Sequence, residues 1–155
     1  MYKNIVVPLD GSALAECVLS HVEALARGCL VKEIIFVRAV EPFLYPSYAG
    51  EVTITPKEIA QINTENKLAA ADYLEQLAGR CKYENVHIGW EVLYGRPAET
   101  IADYSAKHQA DLMLIATHGR SGVSRWVWGS VADRILRSAC VPVLMVRAPG
   151  CFPGI

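Results

Sequence analysis

Residues 116–130, with the sequence ATHGRSGVSRWVWGS, form the segment of this chain best suited to chemistry. They include three glycines, two arginines, three serines and two tryptophans. Successive backbone N–H groups and helix N-termini bind phosphate, and glycine lets the backbone approach an anion closely. Gly119 follows a predicted strand, whereas Gly129 and Ser130 stand where a helix is predicted to begin. The segment therefore indicates a phosphate site.

The residues alone leave a second interpretation of this segment open. Gly119 and Gly122 would then serve a turn, and Gly129 would serve a close packing contact, since isolated glycine patterns are weakly diagnostic. Arg120 and Arg125 fit solvated loop positions as well as they fit anion ligands. Composition favours neither interpretation over the other.

Other catalytic or metal-binding motifs are disfavoured by position and spacing. HIGW at residues 87–90 is similar to the HIGH motif of nucleotidylyl transferases, but it lies within a predicted strand. GRSG is one residue short of a hydrolase nucleophile elbow, so Ser121 is a poor nucleophile. The four histidines lack metal-ligand spacing with cysteine or carboxylate, and a Walker A lysine is absent.

Strand-like and helix-like segments alternate along the chain and must position the glycine-rich segment. A second helix begins clearly at Thr55, followed by Pro56 and a capping-box Glu58. Five strands joined by four crossovers imply an α/β fold, a doubly wound parallel sheet with helices on both faces. The predicted strands are residues 3–9, 33–40, 86–95, 111–117 and 141–147.

Helical periodicity predicts which side chains the helices bury. Ser12 suits the N-cap of the first helix. The predicted buried residues are Leu14, Val18, Val22 and Leu25 in the first helix, Ile59, Ile62, Ala69, Tyr73 and Leu77 in the second, and Val131, Ile135 and Leu136 in the fourth.

Polar residues follow the first and the fourth predicted strands. Asp10 ends the first strand, and Thr117 and His118 end the fourth. Ligands of doubly wound sheets bind beyond the carboxyl ends of the strands, where the strand order reverses. If these two strands are neighbours there, the acidic turn and the glycine-rich segment face one crevice.

Length, charge and cysteine usage limit the class of protein. With 155 residues we expect one domain over residues 1–148 and a loose tail over residues 149–155. The apolar runs are shorter than the roughly 20 residues that span a membrane, and Pro8 and Asp10 interrupt any signal peptide. Net charge is −1 without a basic stripe, and the five cysteines include no C-x-x-C pair. We expect a cytoplasmic protein that binds neither nucleic acid nor membrane.

The run ATHGRSGVSRWVWGSVADRIL, followed by VPVLMVR, resembles the universal stress protein family in its ATP-binding branch. The resemblance extends from KNIVVPLDGS to the final strand. The family motif Gly-x2-Gly-x9-Gly-Ser/Thr is matched by Gly119, Gly129 and Ser130, whereas Ala116 replaces the first glycine. That replacement adds one methyl near the nucleotide and could weaken binding. The resemblance implies a sheet of order 3-2-1-4-5, like that of adenine-nucleotide alpha hydrolases.

The resemblance also implies which residues bind the nucleotide. Asp10 would be the polar anchor of the adenosine pocket, and the backbone of Ala39 would face the adenine. The implied ligand is ATP, or ADP or AMP, with Mg²⁺ bridging its phosphates and with no metal-ligating or catalytic side chain. The predicted binding residues are Pro8, Leu9, Asp10, Ala39, Ala116, Thr117, His118, Gly119, Gly129, Ser130 and Val131.

The sequence thus predicts an adenine-nucleotide-binding stress or regulatory protein with little or no turnover. Two alternatives stay open: a slow ATPase or nucleotidyl-transfer enzyme that uses His118 or Asp10, and a dimerisation module that has lost nucleotide. The last strand is expected at a sheet edge, where only Pro142 and Arg147 discourage pairing with another chain. A two-fold axis there would pair it with its own copy, and the resemblance implies the same homodimer.

Overall fold

Five parallel strands form a single sheet in the computed structural model, which describes residues 2–44, 54–117 and 130–147. Their order is β3-β2-β1-β4-β5, which confirms the predicted doubly wound α/β fold. The predicted strand limits agree with the observed ones to within two residues. The strands are β1 (Asn4–Pro8), β2 (Glu33–Val40), β3 (His87–Tyr94), β4 (Leu112–Thr117) and β5 (Val143–Arg147).

Four α-helices and one short 3₁₀ helix occur in the described ranges. Thr55 and Glu58 form the predicted capping box, with the Glu58 N–H donating to Thr55 Oγ1 at 3.3 Å and the Thr55 N–H donating to Glu58 Oε2 at 2.7 Å. Within these ranges, none of the helices is long and apolar enough to cross a membrane. The helices are α1 (Leu19–Gly28), α2 (Pro56–Arg80), α3 (Pro97–Lys107) and α4 (Ser130–Ser138), and the 3₁₀ helix is Ala15–Val18.

The start of the first helix differs from the sequence prediction. Its first turn is the 3₁₀ helix, and Ser12 Oγ accepts a hydrogen bond from the Ala15 N–H at 3.1 Å. Ser12 is therefore not the N-cap of α1, since the N-cap positions are Leu14 for the 3₁₀ helix and Val18 for α1. Because a 3₁₀ helix has three residues per turn, the buried face shifts and leaves Leu14 41% exposed.

Each face of the sheet packs against one pair of helices. Side chains such as Phe36 and Leu114 lie in the core on the side of α1 and α2. Side chains such as Met113 and Ile135 lie in the core on the side of α3 and α4. Every residue of β4 is buried, as expected for a central strand covered on both faces.

Two further burial predictions are wrong. Ala69 of α2 is exposed, and the buried residues there are Ala70, Leu74 and Leu77. All three buried residues of α2 lie from Ala70 onwards, so the apolar periodicity of its first half does not report full burial. Leu136 of α4 is 45% exposed because it lies one helical step, about 100°, from the fully buried Ile135.

Asp111 joins the amino ends of β4 and β1. Its Oδ2 atom accepts hydrogen bonds from the N–H groups of Lys3 at 2.8 Å and Asn4 at 2.9 Å. These two hydrogen bonds hold the pKa of the Asp111 carboxyl below its ordinary value, and the bond from Asn4 has the larger effect. The ionised carboxylate therefore stabilises the folded protein.

Asp111→Asn should lower the free energy of unfolding by about 1 kcal/mol at neutral pH, because the charged acceptor is lost. Since the folded pKa is lowered, the parent's advantage is fully present above the unfolded pKa of about 3.9 and disappears as pH falls through the folded pKa. Urea denaturation of both proteins between pH 7 and pH 3 measures the difference. Asp72→Asn, at an exposed position of α2, is the control. A difference that does not change with pH would contradict this role.

Candidate functional site

The carboxyl ends of β1 and β4 lie side by side where the strand order reverses. Val6 pairs with Met113, and Asp10 and Thr117 each lie four residues beyond this pair. The expectation that the first and fourth strands are neighbours is therefore confirmed. Crevices at such a reversal are the usual ligand sites of doubly wound sheets.

The acidic turn after β1, residues 10–12, is held by its own hydrogen bonds. Asp10 is exposed, and its Oδ1 atom accepts a hydrogen bond from the Ser12 N–H at 2.8 Å. Gly11 between them has a φ of +88°, a conformation that residues with a side chain rarely adopt. The carboxylate of Asp10 is thus oriented by the backbone at the mouth of the crevice.

Three of the predicted binding residues belong to the α3–α4 face of the sheet. Ala39 and Val131 are half-buried and pack against the core on that side. Thr117 follows Met113 and Ile115 in the alternation of β4, so its side chain is directed to the same face. Because the side chains of Ala39 and Thr117 are short, a ligand could approach the backbone at these strand ends.

Leu9 and Ala116 have side chains on the opposite face. Both are nearly buried and belong to the core on the side of α1 and α2. The methyl of Ala116, 7% exposed, therefore occupies core space on the side away from Ala39 and Val131. Only the backbone of Leu9 and Ala116 is placed to meet a ligand beyond the strand ends.

Thr117 and Pro8 are the last residues of their strands. Thr117 is 8% exposed, and its hydroxyl donates to the backbone carbonyl of Val146 in β5 at 3.4 Å. Pro8 is buried and pairs with Val37 of β2. These contacts join the strand ends that border the crevice.

The N-terminus of α4 begins at Ser130, where the sequence predicts phosphate contacts. Asp133 in its first turn would oppose an anion, but Arg137 Nε donates to Asp133 Oδ2 at 3.0 Å and offsets that charge. Of the predicted phosphate-binding residues, His118, Gly119 and Gly129 lie outside the described residues. Their roles stay predictions.

Sequence reasoning missed a polar network beside the acidic turn. Arg38 of β2 lies with its Cζ atom 5.4 Å from the ring centroid of Tyr73. The Tyr73 hydroxyl donates to Glu16 Oε1 at 3.1 Å, and Arg80 Nη2 lies 3.5 Å from Glu16 Oε2. Burial raises the pKa of the Tyr73 hydroxyl, and the negative charge of Glu16 raises it further. A single arginine within the apolar run EIIFVRAV was the signal that could have revealed this network.

A groove of about 500 Å³ opens at the opposite edge of the sheet, at the amino end of β3. It is therefore separate from the crevice between β1 and β4. The groove is lined by Ala26, Arg27, Lys82, Tyr83, Glu84 and Asn85.

Within the part of the chain that the structure describes, no group of three or more His, Cys, Asp or Glu side chains could hold a metal ion.

Comparison with known proteins identifies relatives along almost the whole chain. A family model described as the universal stress protein family matches residues 1–147. The universal stress protein MJ0531 of Methanocaldococcus jannaschii is 31% identical over 150 residues, which cover 96% of this chain and 84% of that protein. Residues 148–155 lie outside both the family match and the described ranges, so the predicted tail stays a prediction.

Solved structures share the fold. MJ0577 of Methanocaldococcus jannaschii has a TM-score of 0.73 at 24% identity, over 97% of this chain and 99% of its own. A universal stress protein in complex with cAMP has a TM-score of 0.59 at 22% identity, over 95% and 98%. An Arabidopsis thaliana protein of that family with AMP bound has a TM-score of 0.61 at 13% identity, over 96% and 93%. At these identities the likeness establishes the fold alone.

Proposed function

This chain belongs to the universal stress protein family. We propose that it binds an adenine nucleotide, with ATP as the leading candidate, at the carboxyl edge of the sheet between β1 and β4. The observation that carries the proposal is the strand-order reversal, where the carboxyl ends of β1 and β4 lie side by side and the carboxylate of Asp10 is oriented. The short side chains of Ala39 and Thr117 near these strand ends and the start of α4 at Ser130 support it. The relatives with cAMP and AMP support an adenine compound as the ligand.

The adenosine end of the proposed ligand lies over β1 and β2. Pro8 and Leu9 contribute backbone, and Asp10 offers a carboxylate oxygen to a hydroxyl or amino donor of adenosine. The backbone of Ala39 faces the adenine. Because parallel strands end at one edge of the sheet, these groups can line one side of a flat base.

The phosphate end of the proposed ligand lies at the start of α4. The unpaired N–H groups of a helix's first turn and its dipole favour an anion there. In this proposal Gly129 and Ser130 are the residues at the helix start, Gly119 adds its backbone N–H from the segment after β4, and Thr117, His118 and Val131 border the phosphates. Mg²⁺ bound with the nucleotide would reduce the phosphate charge that the protein must neutralise.

We propose that the protein holds the nucleotide with little or no turnover and works by binding. Asp10, the carboxylate oriented at the mouth of the crevice, accepts a backbone hydrogen bond from Ser12, which suits an anchor better than a base that must move a proton. Timed production of ADP or AMP from ATP tests this part. Release at a rate typical of enzymes, on the order of 1 per second or more, would contradict it.

Titration of the purified protein with ATP, ADP, AMP, cAMP and adenosine tests the proposed site. Saturable binding of adenine compounds, with guanosine triphosphate binding far more weakly, is the expected result. Acid extraction of the purified protein, followed by chromatography, should also reveal any nucleotide carried through purification. A protein that binds none of these compounds would leave the fold assignment intact and remove the proposed function.

Asp10→Ala should weaken ATP and adenosine binding by a similar factor, about tenfold, because it removes one charge-assisted hydrogen bond to the adenosine moiety. Calorimetric titration with both ligands measures the two factors. Asp10→Asn is the matched control, since it keeps an oxygen that can accept the Ser12 N–H and removes only the charge. A loss confined to ATP would instead place Asp10 beside the phosphates or their metal.

A further inference from the structure

The guanidinium of Arg38 lies directly on the acidic turn. A Cβ atom built on Gly11 would lie 2.9 Å from Arg38 Nη1, 3.1 Å from Cζ and 3.3 Å from Nη2. These three of the four heavy atoms of the guanidinium thus occupy the side of Gly11 on which a side chain would project. The φ of +88° favours glycine at this position, and a side chain there would also displace the guanidinium from its contact with the turn.

Residues of α2 and of the 3₁₀ helix also fix the position of the Arg38 guanidinium. It is half-buried in β2, and its Cζ atom lies 5.4 Å from the centroid of the Tyr73 ring, within the range of a cation–π contact. Tyr73 is anchored in turn by its hydrogen bond to Glu16, which stands in the 3₁₀ helix just after the turn. The guanidinium therefore has a defined place between α2 and Gly11.

The turn that Arg38 covers also orients Asp10. The Asp10 carboxylate accepts from the Ser12 N–H at 2.8 Å, and the Ser12 hydroxyl accepts from the Ala15 N–H at 3.1 Å. These bonds connect residues within the turn and its following helix. Contact with Arg38 adds a connection from the turn to the sheet and, through Tyr73, to α2.

We propose that Arg38 is a positioning residue of the nucleotide site, which holds Gly11 and thereby sets the carboxylate of Asp10 for the adenosine moiety. The proposal rests on the nucleotide-binding function proposed above. Arg38 acts through Asp10 and does not itself contact the phosphates. Its planar group matters more than its charge, because a lysine ammonium cannot cover Gly11 in the same way.

Arg38→Met should lower the affinity for adenosine and for ATP by the same factor, about tenfold, so that the ratio of the two affinities stays constant. Arg38→Lys should give a loss in the same direction and serves as the second variant if Arg38→Met does not fold. Arg80→Met is the matched control, because Arg80 belongs to the same network through Glu16 but is not among the nearest neighbours of Gly11. It should change both affinities less than about twofold.

The decisive readout is the double variant Arg38→Met with Asp10→Ala. If Arg38 acts through Asp10, its replacement should cause no further loss of adenosine affinity once Asp10 is gone. A merely structural role, or direct contact of Arg38 with ligand, would make the two losses add. Additive losses, or an Arg38→Met protein that binds like the parent, would overturn the proposal and leave nucleotide binding standing. A parent protein without adenine affinity would overturn both.

Discussion

Gly129→Val is expected to remove most of the ATP affinity, by roughly a hundredfold, while the protein stays folded. Gly129 immediately precedes Ser130, the first residue of α4. If phosphate is bound by the N–H groups at this helix start, a branched side chain there would keep the anion from the backbone. Charge-assisted hydrogen bonds contribute about 1.5–3 kcal/mol each, so the loss of one or two gives an effect of this size.

Comparison of two ligands makes the Gly129→Val result specific. Adenosine has no phosphate, so its affinity should change far less than that of ATP. Gly79→Val is the matched control, because a Cβ atom at Gly79 of α2 meets nothing within 4 Å. Circular dichroism and thermal unfolding verify that each variant is folded. A folded Gly129→Val protein that binds ATP like the parent would place the phosphates elsewhere.

The strands could be predicted from the sequence because short apolar runs alternate regularly with amphipathic segments, whereas their order was implied by the family resemblance. The run DLMLIAT has no polar face, and it contains β4, an interior strand that is buried throughout. The capping box at Thr55 and Glu58 was equally readable, because it depends only on neighbouring residues. Local patterns of this kind are sufficient to locate the strands and to indicate a doubly wound sheet, but not to order the strands.

Burial on individual helices was less predictable because it depends on contacts distant in sequence. Leu14 has the right spacing for a buried face, yet the 3₁₀ helix that follows it turns its side chain towards solvent. Ala69 fits the period of α2, but the buried residues of that helix begin only at Ala70. Apolar periodicity indicates which residues share one face of a helix, but it does not indicate whether that face packs against the core or is exposed to solvent.

The acidic turn was found from the sequence, but its support was not. Asp10 is noticeable because a carboxylate follows an apolar strand. Arg38 and Tyr73 act through a contact between β2, α2 and the turn, which local sequence does not encode. The proposed site therefore divides into residues that a motif reveals and residues that only the packing of three elements reveals.

We expect the protein to form a homodimer through β5. The strand is an edge strand of the described sheet, and its Leu144 side chain is 41% exposed. An edge of this kind, with little charge, favours pairing with another strand. A two-fold axis beside β5 would pair it antiparallel with its own copy and bury Leu144 against the partner. Sedimentation of the parent protein at tens of micromolar should therefore give the mass of a dimer.

Leu144→Lys should convert that dimer to a folded monomer, because the apolar contact is lost and two ammonium groups approach each other near the axis. Val146, two residues further along β5, is not suited to the same test. Its side chain is 8% exposed and belongs to the core, so a lysine there would unfold the protein. Leu68→Lys, at a 59% exposed leucine of α2, is the control and should remain dimeric. A monomeric parent, or a Leu144→Lys protein that sediments as a dimer, would exclude assembly through this strand.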